Sequence, residues 1–261
     1  MDHEQITYEE REGVGWIRLN RPDKLNALTT KLAGEVLDAL DRAASGEVRC
    51  VVITGEGRGF SAGQDLTEFR DSTGGTLNVA EHLRSGFNRM IAAIVDAPVP
   101  VVAGVNGVAA GAGLSLAVAC DVRIASDAAR FVQAFIRIGL IPDSGGNWLL
   151  PRVVGYAKAL ELSITGDQID AAEALRIGLV NRVAPAEQFA DELESFAVRM
   201  AGAPTRAVVA TRRIMAGALR QSLGETLEAE AMAQAEQAGS DDFREGVAAF
   251  LEKREPTFTG R

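Results

Sequence analysis

The uncharged, glycine-laced run from residue 97 to residue 120 constrains this chain more than any other feature. It is long enough for a transmembrane helix. However, Pro98, Pro100, Asn106 and the glycines at 104, 107, 111 and 113 interrupt it, and it reads better as a buried strand, a glycine turn and a buried helix. The same order occurs one segment earlier. Residues 48–54 are apolar, break into Gly55-Glu56-Gly57-Arg58-Gly59, and continue into Phe60-Ser61-Ala62-Gly63-Gln64-Asp65-Leu66. Each round leads into a further apolar strand, at 99–105 and at 122–125. Repeated strand, glycine turn and helix specify an α/β layered domain.

With 261 residues, 47% of them hydrophobic and 24% charged, the chain can bury one large core or a core with a helical appendage. A net charge of −9 argues against nucleic-acid or anionic-membrane partners, which need a basic face. Local cations and backbone N–H groups can still hold a small anion. Cys50 and Cys120 lie inside apolar stretches, so neither a disulfide nor a metal site is expected. The first 13 residues are strongly polar and lack the pattern of a secretion signal, which makes the cytoplasm the expected location.

Along the chain, 14–20 reads as a strand, 21–28 as a turn-rich loop, and Thr29 or Thr30 as the cap of a helix running to about residue 44. Residues 71–77 are small and polar and read as a mobile loop, followed by a helix over 79–95. After Trp148 almost everything reads as helical. Asp170-Ala171-Ala172-Glu173 starts one helix, and others cover 187–200, 205–219, 223–238 and 241–253. A boundary near residue 195 separates a core, 1–195, from a helical C-terminal part, 196–261.

Two turns carry potential chemistry. Ala62-Gly63-Gln64 and Gly111-Ala112-Gly113 fall where a strand ends and a helix begins, so their N–H groups lack helical partners and sit at a positive dipole end. One N–H from each can converge on an oxygen that becomes negative during a reaction. Equally, the glycines can serve only tight turns and close packing. A dinucleotide site is disfavoured, because Leu116 stands where the third glycine belongs. Asp143, in Ile141-Pro142-Asp143-Ser144-Gly145-Gly146, is a carboxylate on a restrained backbone among small neighbours, and is the expected acid/base group. His82 is expected as a partly exposed surface histidine, the lining of a ligand pocket being the alternative. Asp65 is expected as a helix cap, Asp121 as a turn anchor, and Arg206, Arg212 and Arg213 on a solvated helix face, with an oligomer contact or a bound phosphate as alternatives.

Together these segments resemble the enoyl-CoA hydratase/isomerase (crotonase) superfamily. The resemblance is carried by 21–28 (Arg-Pro-Asp-Lys-Leu-Asn-Ala-Leu), 59–66, 100–113, Cys120-Asp121 with the strand after it, 138–146, 174–180 and the tail around Glu245-Gly246 and 250–254. It spans nearly the whole chain. It implies a crotonase-type spiral of ββα units, a helical C-terminal oligomerisation region, and a homotrimer or dimer of trimers. It also implies an acyl-CoA thioester substrate, coenzyme A being part of that substrate and no separate cofactor being needed. Carried over by position, the oxyanion donors are the N–H groups of Gln64 and Ala112. The CoA adenine end falls near Lys24 to Ala27 and near Ala62, Asp65 and Leu66, with Lys24 available to a phosphate. Phe135, with Phe131 and Trp148, would shape the acyl pocket.

Departures from the family pattern narrow the reaction. Hydratases of this family carry two glutamates, and the matching positions here are Ser115 and Phe135. Adding water asks for one group on the water and one on the Cα proton, whereas moving a double bond asks for one carboxylate and a stabilised dienolate. Asp143 matches the acid of several isomerases, and 133–151 resembles the ring-1,2-epoxyphenylacetyl-CoA isomerases of phenylacetate catabolism. The expectation is therefore an acyl-CoA isomerase with Asp143 as sole acid/base. The alternatives are a hydratase with atypical acids and a non-catalytic acyl-CoA-binding homologue.

Overall fold

In the computed structural model, residues 3–68 and 78–261 are described, so the loop expected at 71–77 lies outside the described residues. The larger sheet runs in the order β1 (Ile6–Arg11), β2 (Val14–Leu19), β3 (Cys50–Gly55), β5 (Val101–Val105), β7 (Val122–Ser126) and β10 (Arg182–Ala184). The smaller runs β4 (Gly59–Ser61), β6 (Val108–Ala110), β8 (Arg130–Val132) and β9 (Gln168–Asp170). Among the described residues, only β1 with β2 and β8 with β9 pair antiparallel. The chain therefore alternates between sheets, from β3 to β4, β5 to β6 and β7 to β8, giving the spiral of ββα units.

Strands β3 and β5 are buried throughout, as parallel strands covered on both faces must be. Their alternation sorts side chains into two cores. Val51 and Ile53 face the main core, while Cys50 and Val52 join Val14, Trp16 and Val102 under Leu193 and Phe196. Those last two lie on α8 (Phe189–Ala201). At Gly104 a Cβ would come 2.3 Å from a methyl of Leu193, so the glycine lets α8 seat on the sheet.

Helix α1 (Thr30–Ser45) begins at Thr29, whose hydroxyl accepts the Leu32 N–H at 3.0 Å. The helix expected over 79–95 is built as α2 (Val79–His82), a π turn (Leu83–Phe87) and α3 (Asn88–Val95). Every residue of α4 (Ala112–Ala119) is buried, which is why the run containing it has no charge. Next come α5 (Gly146–Val154), α6 (Tyr156–Thr165) and α7 (Ala171–Arg176), the last capped by Asp170. The all-helical reading after Trp148 is corrected by β9 and β10, three residues each and too short to show a period.

Residue 195, near which a boundary is expected, lies inside α8, which packs on the larger sheet and ends before Gly202. Helices α9 (Thr205–Ala218), α10 (Leu223–Ala238) and α11 (Asp241–Glu252) follow. Arg212 is not on a solvated face as expected. It pairs with Asp121 at 3.0 Å and reaches the Ala97 carbonyl, pinning α9 to the start of β5. Asp121 does anchor its turn, accepting the Val101 N–H at 2.8 Å.

The loop before α1 is held by Asn26, which is fully buried at a positive φ of 54°. Its side chain accepts the Arg21 N–H at 2.8 Å and donates to Glu56 O and Gly59 O at 2.9 and 2.7 Å. Replacing it removes three hydrogen bonds, two part-buried and one buried, although Gly59 O still accepts from Asn106 Nδ2 at 3.3 Å. Asn26→Ala is expected to cost about 3 kcal/mol in urea unfolding at unchanged m; a loss under about 1 kcal/mol would show that the clamp contributes little.

Candidate active site

Leu28 bridges Gln64 in parallel register, donating to Gly63 O at 2.7 Å and accepting from the Asp65 N–H at 2.8 Å. In such a bridge the middle residue turns its own N–H to the other side. Ala62 is likewise committed, donating to Leu25 O at 2.8 Å. The segments around Lys24 to Ala27 and Ala62 to Leu66 thus lie side by side. Lys24 and Ala62 are exposed, Leu66 is half-exposed and Ala27 is nearly buried.

The second turn begins at Gly111, with φ 50° and ψ −121°, a conformation essentially reserved for glycine. Ala112 is the first residue of α4, where an N–H has no helical acceptor. The two turns abut. A Cβ on Gly63 would stand 2.7 Å from Ala110 O and 3.4 Å from Ala112 N, and one on Gly113 would stand 2.6 Å from Ser61 O. The close-packing role of the glycines and the convergence of the turns are therefore the same fact. The methyl of Ala112 belongs to the main core. Phe135 packs against this turn, its ring 3.6 Å from where a Gly111 Cβ would be.

Asp143 is attached to the same helix. Its carbonyl accepts the Ser115 hydroxyl at 3.0 Å and the Gly146 N–H at 2.8 Å, and Ser115 lies one turn beyond Ala112 on α4. Ser144 and Gly145, at φ 50° and 77°, bend the loop into α5. Burial pushes the Asp143 carboxyl above the ordinary carboxylate range, opposed by the Ser144 hydroxyl donating at 2.9 Å and by the nearby His82.

Several expectations change. His82 is not a surface residue: its side chain is 15% exposed, its Nε2 lies 2.7 Å from Gln64 Nε2, and Glu68 stands 3.8 Å away. Asp143 is therefore accompanied by other titratable groups near the first turn. Asp65, expected on the ligand surface as well as at a cap, spends its carboxylate internally. It accepts from Thr67 Oγ1 at 2.7 Å and from Arg21 at 2.8 Å, which hold it at a pKa of about 2. Phe131 is core, and Trp148 lies outside with Arg152 stacked 3.8 Å from its ring. On sequence alone the surface reading of His82 is preferred to the pocket reading, because a lone histidine on a polar helix start carries no period. Its one signal was its place on the helix after the first glycine turn.

Two abutting turns and a part-buried carboxylate tied to one of them sit on a ββα spiral of the crotonase fold. Residues 9–261 match the Enoyl-CoA hydratase/isomerase family, to which the chain belongs. A Rhodobacter capsulatus protein named "Probable enoyl-CoA hydratase" is 45% identical over 261 residues, covering 100% of both chains. The 1,2-epoxyphenylacetyl-CoA isomerase of Escherichia coli is 38% identical over 260 residues, covering 99% of both. Among solved structures, an enoyl-CoA hydratase from Polaromonas sp. JS666 superposes with TM-score 0.92 at 34% identity, covering 97% of this chain and 99% of that one.

If the abutting turns form the reactive site, opening them must cost activity. Gly63→Ala, at φ 89° and with Ala110 O in the way, is expected to lower kcat roughly 10²–10³-fold with the fold retained by circular dichroism. Unchanged turnover in the folded variant would place the site elsewhere.

Proposed function

We propose that the chain is an acyl-CoA isomerase that shifts a double bond, or opens a ring epoxide, on a CoA thioester. The observation that carries this reading is the set of residues on the Ala112 helix and the loops beside it. Ser115 and Phe135 stand where the hydratase glutamates would be, and the Ser115 hydroxyl is spent on the carbonyl of Asp143. Asp143 supplies the carboxylate.

In this mechanism the C2–H bond breaks, its proton passes to Asp143, and the electron pair is delocalised into the thioester oxygen. The N–H groups of Gln64 and Ala112 hold that oxygen as charge develops, each worth about 2.7–4 kcal/mol. The proton then returns at C4, leaving the double bond conjugated with the thioester. No group beyond CoA enters the balance. For an aromatic epoxide the same acid serves ring opening, a reading supported by the isomerase relative. The hydratase name of the 45% identical relative favours hydration instead.

Turnover decides between them. Asp143→Asn is expected to abolish conversion of 3-enoyl-CoA to 2-enoyl-CoA, at least 10³-fold, with CoA binding intact by calorimetry. Near-normal isomerisation in that variant, or a wild type that only hydrates 2-enoyl-CoA, would refute the reading. Because the base must be ionised and burial raises its pKa, kcat/KM should fall as pH drops, with a midpoint above the ordinary value of about 4. A midpoint at or below that value would point to another base.

Assembly into trimers is proposed on the exposed apolar groove of about 950 Å³ lined by Met215, Leu227, Phe243, Val247, Phe250 and Leu251. Such a surface is unusual on a monomer. Light scattering should give three or six copies; a monomer at micromolar concentration would contradict this.

A further inference from the structure

Arg21 and Asp65 form an ion pair that the mechanism does not use and that stability does not account for. Arg21 Nη2 donates to Asp65 Oδ2 at 2.8 Å, with the two side chains 19% and 10% exposed. Taking two charges this far out of water costs about as much as their attraction returns, so such a pair is weak evidence for stability. What it does supply is fixed geometry. The guanidinium is a planar fork: while Nη2 holds Asp65, Nη1 donates to the Ala27 carbonyl at 2.5 Å. One rigid group thus ties together the two segments that meet at the Leu28–Gln64 bridge.

Both ends of the fork are anchored. The Arg21 carbonyl accepts the Asn26 N–H at 2.9 Å, and the Arg21 N–H donates to Asn26 Oδ1 at 2.8 Å. The other oxygen of Asp65 accepts from the Thr67 N–H at 3.1 Å and from its hydroxyl at 2.7 Å. Between these supports the segments are laced together. Ala62 N–H donates to Leu25 O, the Ser61 hydroxyl to Asn26 O, Leu28 N–H to Gly63 O and Asp65 N–H to Leu28 O, each at 2.7–2.8 Å. Gln64 sits at the end of that lacing, and with both neighbours bonded to Leu28 its own N–H is turned the other way. Where that N–H points depends on where Asp65 is held, and Arg21 holds it.

We propose that Arg21 and Asp65 are positioning residues for the reaction: together they aim the main-chain N–H of Gln64 at the thioester oxygen. The role rests on the reading of Gln64 as an oxyanion donor and adds how that donor is kept in place. A donor on a turn swings with the residues on either side of it, and a hydrogen bond weakens steeply once it is misaligned. Both side chains act through the backbone and need no contact with the acyl group.

Variants of the pair separate aim from fold. Arg21→Gln and Asp65→Asn each leave the other member part-buried without its partner, so each is expected to lower the melting temperature. The double variant removes both charges and should recover most of that loss. Its kcat for conversion of 3-enoyl-CoA to 2-enoyl-CoA should nevertheless stay about tenfold or more below wild type, with KM changed far less, because a transition-state contact is weakened. Arg21→Lys keeps the charge without the fork and should be similarly slow. A kcat that recovers with stability in the double variant, or an Arg21→Lys protein as fast as wild type, would overturn the proposal.

A second measurement needs no turnover. Hexanoyl-CoA labelled with ¹³C at the thioester carbonyl is bound to each protein, and its C=O stretch is read by isotope-edited infrared difference spectroscopy. Hydrogen bonds polarise the carbonyl, so wild type should move the band to lower wavenumber than in the free ligand. The double variant and Arg21→Lys should lose about half of that displacement or more. An equal displacement in all three proteins would overturn the proposal while leaving the donor reading in place. No displacement in wild type would remove the donor reading and the positioning role with it. A displacement lost in the variants, from a protein that moves no double bond, would keep the positioning role and remove the isomerase assignment.

Discussion

Gly63 and Gly113 lie where the ends of two neighbouring ββα units come closer than a side chain would allow. Backbone oxygens of Ala110 and Ser61 occupy the space their Cβ atoms would need. That contact brings the start of α4 against the turn after β4, and the rest of the site is arranged from it. The parallel bridge to Leu28 turns the Gln64 N–H away from Leu28, and the helix start leaves the Ala112 N–H without a helical acceptor. One turn along α4, Ser115 takes hold of the Asp143 loop. The Ala112 N–H and the Asp143 loop are thus fixed by one buried helix, which favours preorganisation over adjustment.

The electrostatics of this arrangement follow from burial. Desolvation raises the pKa of Asp143, which makes its carboxylate a stronger base, while the Ser144 hydroxyl and His82 limit the rise. Asp65, a few residues from His82 in space through Gln64 and Glu68, is held in the opposite state. Thr67 and Arg21 keep it ionised at low pH and hold its carboxylate within the loop. Two aspartates near the same turns therefore differ in their ionisation, set by whether their oxygens are already satisfied.

The amino-acid sequence made much of this legible. The uncharged run around α4, the apolar β3 and β5, and the caps at Thr29 and Asp170 were readable because burial on all sides and local capping leave marks within a few residues. What escaped depends on distance along the chain. The three-residue strands of the smaller sheet are too short to have a period, and β1, with Glu9 and Glu10 on an edge strand, looks like a polar tail. Arg212 looked solvated because its partners, Asp121 and the Ala97 carbonyl, are about a hundred residues away. His82 was misplaced for the same reason. Its contacts with Gln64 and Glu68 come from how α2 crosses the first turn, which no local pattern encodes.

The claim at the centre is spatial: one thioester oxygen between two main-chain donors, with a carboxylate within reach of C2. A crystal structure with a bound, unreactive acyl-CoA analogue tests it directly. The oxygen should lie about 2.7–3.1 Å from the main-chain nitrogens of both Gln64 and Ala112, with Asp143 the carboxylate closest to C2. An oxygen bound away from either nitrogen, or an Asp143 side chain turned from the acyl chain, would contradict the account.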